Sequence, residues 1–430
     1  MLTTLKNALK IKEIRQKILF TLGMLVVIRI GSQLPVPGVD TKFFSQWFAQ
    51  QTGGAFSFFD AITGGSFLNM SILALNINPY ITSSIIMQLL TIAIPKLEEM
   101  QRDGEDGRKK MVAITRYVTI ALALIQSTAM AIGFGRQEFN ALNVITTITA
   151  LTAGSAFLMW VGERITEKGI GNGISIVLVI NIISRLPQDL SNLFEQFVFG
   201  KAPATAILAV VIIFAIIIAM VVLVIILNDG VRKIPVQYAK KMQGRKMVGG
   251  QTSNIPLKVN TSGVIPIIFA QSIMQFPIII CSFIGYNGTG VWAEILKGLN
   301  SAYWCKPSQL IYSLGLLLYI VLIVFFAYFY TSITFNPLMI ADNMKKQGGF
   351  IPGIRPGKPT SDYLNKILNY IVFIGAIGLI IVSVIPYFFN GVFGASVSFG
   401  GTSLIIIVSV VLETMKQVES QMLVRNYKGF

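Results

Sequence analysis

The chain has 430 residues, of which 53% are hydrophobic and 13% charged, with 35 Lys and Arg against 19 Asp and Glu. Soluble domains carry roughly 25% charged residues, so the composition excludes an ordinary soluble protein and points to a polytopic membrane protein. No histidine is present and there are only two cysteines, Cys281 and Cys305, which excludes His-based triads, HExxH zinc sites and imidazole proton relays and leaves a disulfide framework unsupported. No lysine precedes Ser or Thr, so a phosphate-binding P-loop is missing too. The nearest look-alike, Gly353–Pro359, fails at that position. Neither a metal ligand set nor a cofactor site is legible, and any nucleotide hydrolysis falls to a partner.

A hydrocarbon core about 30 Å thick takes roughly 20 apolar helical residues. Ten stretches qualify in chain order: Ile18–Gln33, Met70–Ile94, Met111–Phe134, Leu142–Val161, Gly171–Leu186, Ala204–Leu227, Gly263–Tyr286, Ser308–Ser332, Ile367–Phe389 and Gly401–Leu412. The basic residues before the first span suggest a signal peptide. No small-x-small cleavage site follows it, however, and Leu34–Gly38 reads as a rigid turn leaving the membrane. Alternate loops, with the N-terminal segment and the tail, hold 28 of the 35 Lys and Arg residues, and the opposite loops hold six. Both termini are therefore expected to be cytoplasmic. The loop at 228–262 is basic beyond what topology needs: Arg232, Lys233, Lys240, Lys241, Arg245, Lys246 and Lys258 face only Asp229. Attraction to anionic lipid accounts for part of this, and docking of a polyanion or an acidic partner for the rest.

Two stretches break the rules for lipid-facing helices. Residues 56–68 are apolar enough to bury, too short to span, and weakened by Gly64-Gly65. Asn76-Ile77-Asn78-Pro79 then puts two amides and a helix breaker inside the second span, where polar backbone is tolerated only against protein or a water-filled cavity. A half-helix followed by a full span is expected. Helical spacing places Ile77, Ile81, Ser84 and Gln88 on one face. Ile174, Leu178 and Asn181 share a second face, and Ile268, Gln271 and Gln275 a third. Two readings stay open: amide hydrogen bonding between helices, or an hourglass path with an aliphatic constriction that closes by dewetting. Span centres lack ionisable groups apart from Arg29 near a helix end, which disfavours an ion-coupled pump.

The strings Ser71–Ile81, Gly162–Ser175, Pro256–Asn260 with Gly263–Pro266, Gly348–Gly357 and Phe399–Ser403 resemble the SecY family, the channel subunit of the bacterial Sec protein translocase, and the match runs essentially end to end. One departure is Asn76-Ile77-Asn78, where the family commonly has a Gly-Ile-Met type sequence. The resemblance implies two inverted five-helix halves, 1–203 and 204–430, around an hourglass pore in a bacterial plasma membrane. It implies a pore ring of Ile77, Ile81, Ile174, Leu178, Ile268 and Ile406, the last supplied by the resemblance alone. A plug would span 56–68, including Phe58, Phe59, Ile62, Gly64, Gly65, Phe67 and Leu68. Gln88, Gln126, Gln271 and Gln275 would be polar lateral-gate residues. The loops 228–262 and 335–366 would receive the ribosome or the SecA motor through Arg355, Lys240, Lys241, Arg245 and Lys246. SecE-like and SecG-like small subunits would join, and signal-sequence-bearing polypeptides would be the clients. The rival is a small-solute secondary transporter with inverted repeats, which should carry a midplane ionisable site.

Overall fold

Proline in the first turn, where its missing N–H is no loss, starts several of the helices, while asparagine caps others. The computed structural model describes residues 8–39, 63–134, 141–238, 241–243, 246–248, 252–284, 290–394 and 401–426. In chain order, α1 (Lys12–Gly31) is followed by a turn-rich segment over residues 63–77. Next come α2 (Asn78–Ala93), α3 (Pro95–Arg102), α4 (Gly104–Phe134), α5 (Ala141–Lys168), α6 (Gly173–Phe197) and α7 (Pro203–Asp229). Strands β1 (Val231–Tyr238), β2 (Lys241–Gln243), β3 (Lys246–Val248) and β4 (Thr252–Lys258) precede α8 (Ile265–Ile284) and α9 (Val291–Leu299). Two 3₁₀ turns lead to α10 (Leu314–Thr334), α11 (Pro337–Lys346), β5 (Gly349–Phe350), α12 (Lys358–Phe393) and α13 (Gly401–Asn426). Asn172 caps α6 by accepting from the Ile174 and Ser175 N–H groups, and Asn336 caps α11 in the same way.

Among the described residues, six helices are long and apolar enough to cross a membrane, or seven if α2 and α3, bent by 109°, count as one span. The architecture is that of an all-α polytopic membrane protein. Several boundaries differ from the expected ones. The second span begins as helix only at Asn78, because Met70 (φ 45°) and Asn76 (φ 53°) are left-handed and break it. The stretch expected as Ile367–Phe389 is part of the 36-residue α12, which starts at Lys358 inside the expected loop 335–366. That loop also contains α11 and β5, and the loop 228–262 holds four strands.

The strands were not anticipated. Strand β1 pairs antiparallel with β4 from Val231↔Lys258 to Gln237↔Thr252, and its other edge takes β5 through Gln237↔Phe350 and Tyr238↔Gly349. β2 and β3 form a separate hairpin. Ile234, Val236 and Leu257 pack with Met344, Ile351, Leu364 and Ile371, so one apolar cluster roots the sheet on α11 and α12.

Helix packing repeats along the chain. α1 packs on α5 and α6, α2 on α4, α4 on α5, and α5 on α6. Further along the chain, α7 packs on α12 and α13, α8 on α10, α10 on α12, and α12 on α13. The two sets meet where α6 touches α7 and α13, and again where α4 touches α8.

Candidate functional site

The turn between Leu73 and Ile77 creates the centre of the site. Asn76 N–H donates to the Leu73 carbonyl at 2.9 Å, and Ile77 then serves as N-cap, its carbonyl accepting from Ile81 at 3.0 Å. Ile77 is fully buried, and Ile81 lies one turn on along α2. Around them one apolar cluster gathers Leu178 and Ile182 of α6 and Ile406 of α13, with half-buried Ile81 and Ile174 packed against it. Five of the six expected constriction residues thus share one cluster. Ile268 is half-buried on α8 and is not among the residues of that cluster. Ile182, one helical turn beyond Leu178, was missed by the sequence reading although the i+4 spacing pointed to it.

Of the expected plug, Phe58, Phe59 and Ile62 lie outside the described residues. From Thr63 the described part runs mainly through turns, with Gly64 (φ 66°) and Gly65 (φ 83°) both left-handed, and most of the expected half-helix lies outside the described residues. Phe67 is buried against Ala123 and Met130 of α4 and Leu151 of α5, with Leu68 packed at the edge of that cluster. The backbone is stitched to the segment after α1: Val36 N–H donates to the Met70 carbonyl at 3.0 Å and Ile72 N–H to the Leu34 carbonyl at 2.9 Å. A Cβ added at Gly64 would stand 2.6 Å from the Asn181 carbonyl oxygen, so α6 is the wall against which this corner sits.

The amides divide. Gln271 is buried and its Oε1 accepts from Tyr387 Oη at 3.1 Å, which ties α8 to α12. Tyr387 in turn stacks edge-on with Trp304 and Tyr319. Gln275 is buried, and among the described residues its Nε2 has no hydrogen-bond partner. Gln88 and Gln126 are half-buried on α2 and α4, and among the described residues no hydrogen bond joins either to Gln271. Two amides that the sequence singled out without pairing them meet here: Asn181 Nδ2 donates to Asn76 Oδ1 at 3.1 Å.

On the loop side, Arg355 is exposed in a turn bounded by Gly353 (φ 83°) and Gly357 (φ 99°). Its carbonyl accepts from Thr360 Oγ1 at 2.8 Å and the Ile354 N–H reaches the Ile351 carbonyl at 3.0 Å, so the backbone under the guanidinium is pinned. Lys241 and Lys246 lie on the β2–β3 hairpin, whereas Lys240 and Arg245 fall outside the described residues.

A family model described as SecY matches residues 71–415. The protein translocase subunit SecY of Streptomyces galbus is 42% identical over 458 aligned positions, covering 100% of both chains. A solved structure described as "The structure of a protein conducting channel" covers 95% of this chain and 93% of its own at a TM-score of 0.66 and 19% identity. Sec61 in the canine ribosome–channel complex from the endoplasmic reticulum covers 95% and 93% at a TM-score of 0.64 and 18% identity.

Proposed function

This chain belongs to the SecY family and is a protein-conducting channel, not an enzyme, and from that premise we propose that its aliphatic cluster is the gate through which unfolded polypeptides pass. The observation that carries this is the convergence of Ile77, Ile81, Leu178 and Ile406 from α2, α6 and α13. Aliphatic side chains repel water when the waist is empty and pack around many sequences without demanding specific hydrogen bonds. Ile174, packed against the same cluster, and half-buried Ile268 on α8 complete the ring. The repeated packing of five spans on five supports two halves, 1–203 and 204–430, related by inversion, giving ten spans with both termini cytoplasmic in a bacterial plasma membrane.

The segment 56–68 acts as the plug: Phe67 and Leu68 root it among α4 and α5, and Gly64 sets its corner on α6. The lateral gate runs between α2 with α4 and α8 with α10, where α4 touches α8. Sideways opening there lets a sufficiently apolar segment partition into lipid. Gln88, Gln126, Gln271 and Gln275 supply its polar side, with Gln271 anchored through Tyr387. The sheet and the Arg355 turn receive the SecA motor or the ribosome, to which Lys240, Lys241, Arg245 and Lys246 add diffuse attraction, as they do to anionic lipid. Nucleotide hydrolysis belongs to these partners. SecE-like and SecG-like subunits cover lipid-facing helices.

The test is reconstitution with a SecE-like subunit and SecA, scoring ATP-dependent preprotein entry into vesicles and resting ion leak. An amide among aliphatic side chains has no partner and favours water entry, so Ile406→Asn should raise resting conductance by about tenfold or more. Unchanged conductance would remove Ile406 from the gate. Arg355→Glu should cut motor-driven entry severalfold at equal membrane abundance, since a pinned guanidinium offers bidentate contacts that a lysine cloud does not; parental activity would reduce it to a turn residue.

A further inference from the structure

Beside the waist the chain carries two asparagines that face each other across the wall. Asn76 has φ 53° and is 1% exposed, and Asn181 on α6 is 2% exposed. A left-handed backbone favours glycine, and asparagine tolerates it better than most residues. The amide adds what glycine lacks: Asn76 Oδ1 accepts from Asn181 Nδ2 at 3.1 Å. Ile77 follows Asn76 directly, while Leu178 and Ile182 flank Asn181 on α6, and all three lie in the aliphatic cluster. Asn181 has a second contact through its backbone. Its carbonyl oxygen, which also accepts from Ser184 Oγ at 2.7 Å, forms the floor under Gly64. One residue therefore meets the constriction by its side chain and the plug corner by its main chain.

We propose that Asn181 is a positioning residue that holds the turn at Asn76 and the corner at Gly64 in register, so that waist and plug loosen together when the amide bond is lost. The proposal rests on the channel reading and deepens it. A bond of helix-gluing value alone would change melting temperature and leave both closures shut. A register bond instead shifts the balance between sealed and leaky states.

Three variants separate these roles. Asn76→Gly keeps the left-handed turn and removes the amide, Asn181→Ala removes the donor, and the third combines them. Each is reconstituted with the SecE-like subunit. Resting conductance is measured alongside the rate at which a membrane-impermeant thiol reagent labels Ser66→Cys, with Cys281 and Cys305 replaced by Ser. Each single change should raise conductance about three- to twentyfold, the range of one interhelical amide bond, and should speed labelling in step. The double variant should add nothing to either single. Parental conductance and labelling in both singles, with or without a lower melting temperature, would overturn the proposal, as would a double variant equal to the product of the two. Ile406→Asn runs in parallel. If it leaks while the asparagine variants stay sealed, only the register role falls. If all are silent, the channel gate falls with it.

Discussion

Helix α7 and the segment 63–77 are both rich in apolar residues, yet they solve opposite problems. α7 runs unbroken for 27 residues, burying Met220, Val224 and Leu227 along one line and leaving Ile207, Leu208, Val211, Phe214 and Ile218 exposed. All its interior polar groups are the backbone's own, satisfied within the helix, which is what a lipid contact requires. The segment 63–77 contains four left-handed residues, Gly64, Gly65, Met70 and Asn76, and buries Thr63, Ser66, Ser71 and Asn76. Its freed backbone groups are met by the strand-like contact at Pro35↔Ser71 and by turns. Apolar content alone does not separate the two environments; the interruption of the helix and the company of amides do.

The contrast can be broken most forcefully by volume. A Cβ at Gly154 on α5 would stand 2.0 Å from the Ile72 carbonyl oxygen. Gly154→Val should therefore prise α5 from the interior segment and cost about 2–3 kcal/mol, read as a lower melting temperature in detergent. Ala219→Val on the exposed side of α7 should stay within about 0.5 kcal/mol of the parent. Equal losses at both sites would mean that the interior segment is no more tightly fitted than a lipid-facing surface.

Polarity gives a finer probe. Gln271→Leu removes the amide that accepts from the buried Tyr387 Oη, which should cost about 1–2 kcal/mol. A neutral outcome in the same melting assay would show the interior amides to be as replaceable as the leucines of α7.

The smallest effect lies outside the spans. Hydrogen bonding from Tyr312, then from Lys297, holds the Glu294 carboxyl below its ordinary range. A depressed folded-state value means the contribution is present above the unfolded carboxylate's pKa of about 4.3 and is lost as pH falls through the lower, folded value. Melting temperature should thus drop slightly more steeply below about pH 4 in the parent than in Glu294→Gln. Parallel curves would show that this exposed contact carries no stability.

The polytopic membrane character was legible because lipid leaves few choices: long apolar runs with few charges declare it. Ile77, Ile81 and Leu178 stood out because aliphatics and amides recurred together at helical spacing, whereas Ile406 was reached only through family resemblance. The sheet escaped because the charges of 228–262 drew attention from its period-two pattern, in which Ile234 and Val236 point inward. Its third strand, only Gly349-Phe350, comes from a distant loop and is too short to announce itself. The Asn76–Asn181 bond joins residues 105 positions apart, and nothing local in either stretch names its partner.

Helix α12 begins one residue after the Arg355 turn, anchors the sheet through Leu364 and Ile371, and near its far end holds Gln271 of α8 through Tyr387. At 1.5 Å per residue the stretch from Lys358 to Ile385, ahead of the internal Pro386, makes a rod of about 42 Å. A rod bends far less readily than a loop, so a tilt imposed at one end is delivered as displacement at the other. A tilt of the Arg355 turn should therefore reach α8 through Tyr387 and Gln271 without any chemical step.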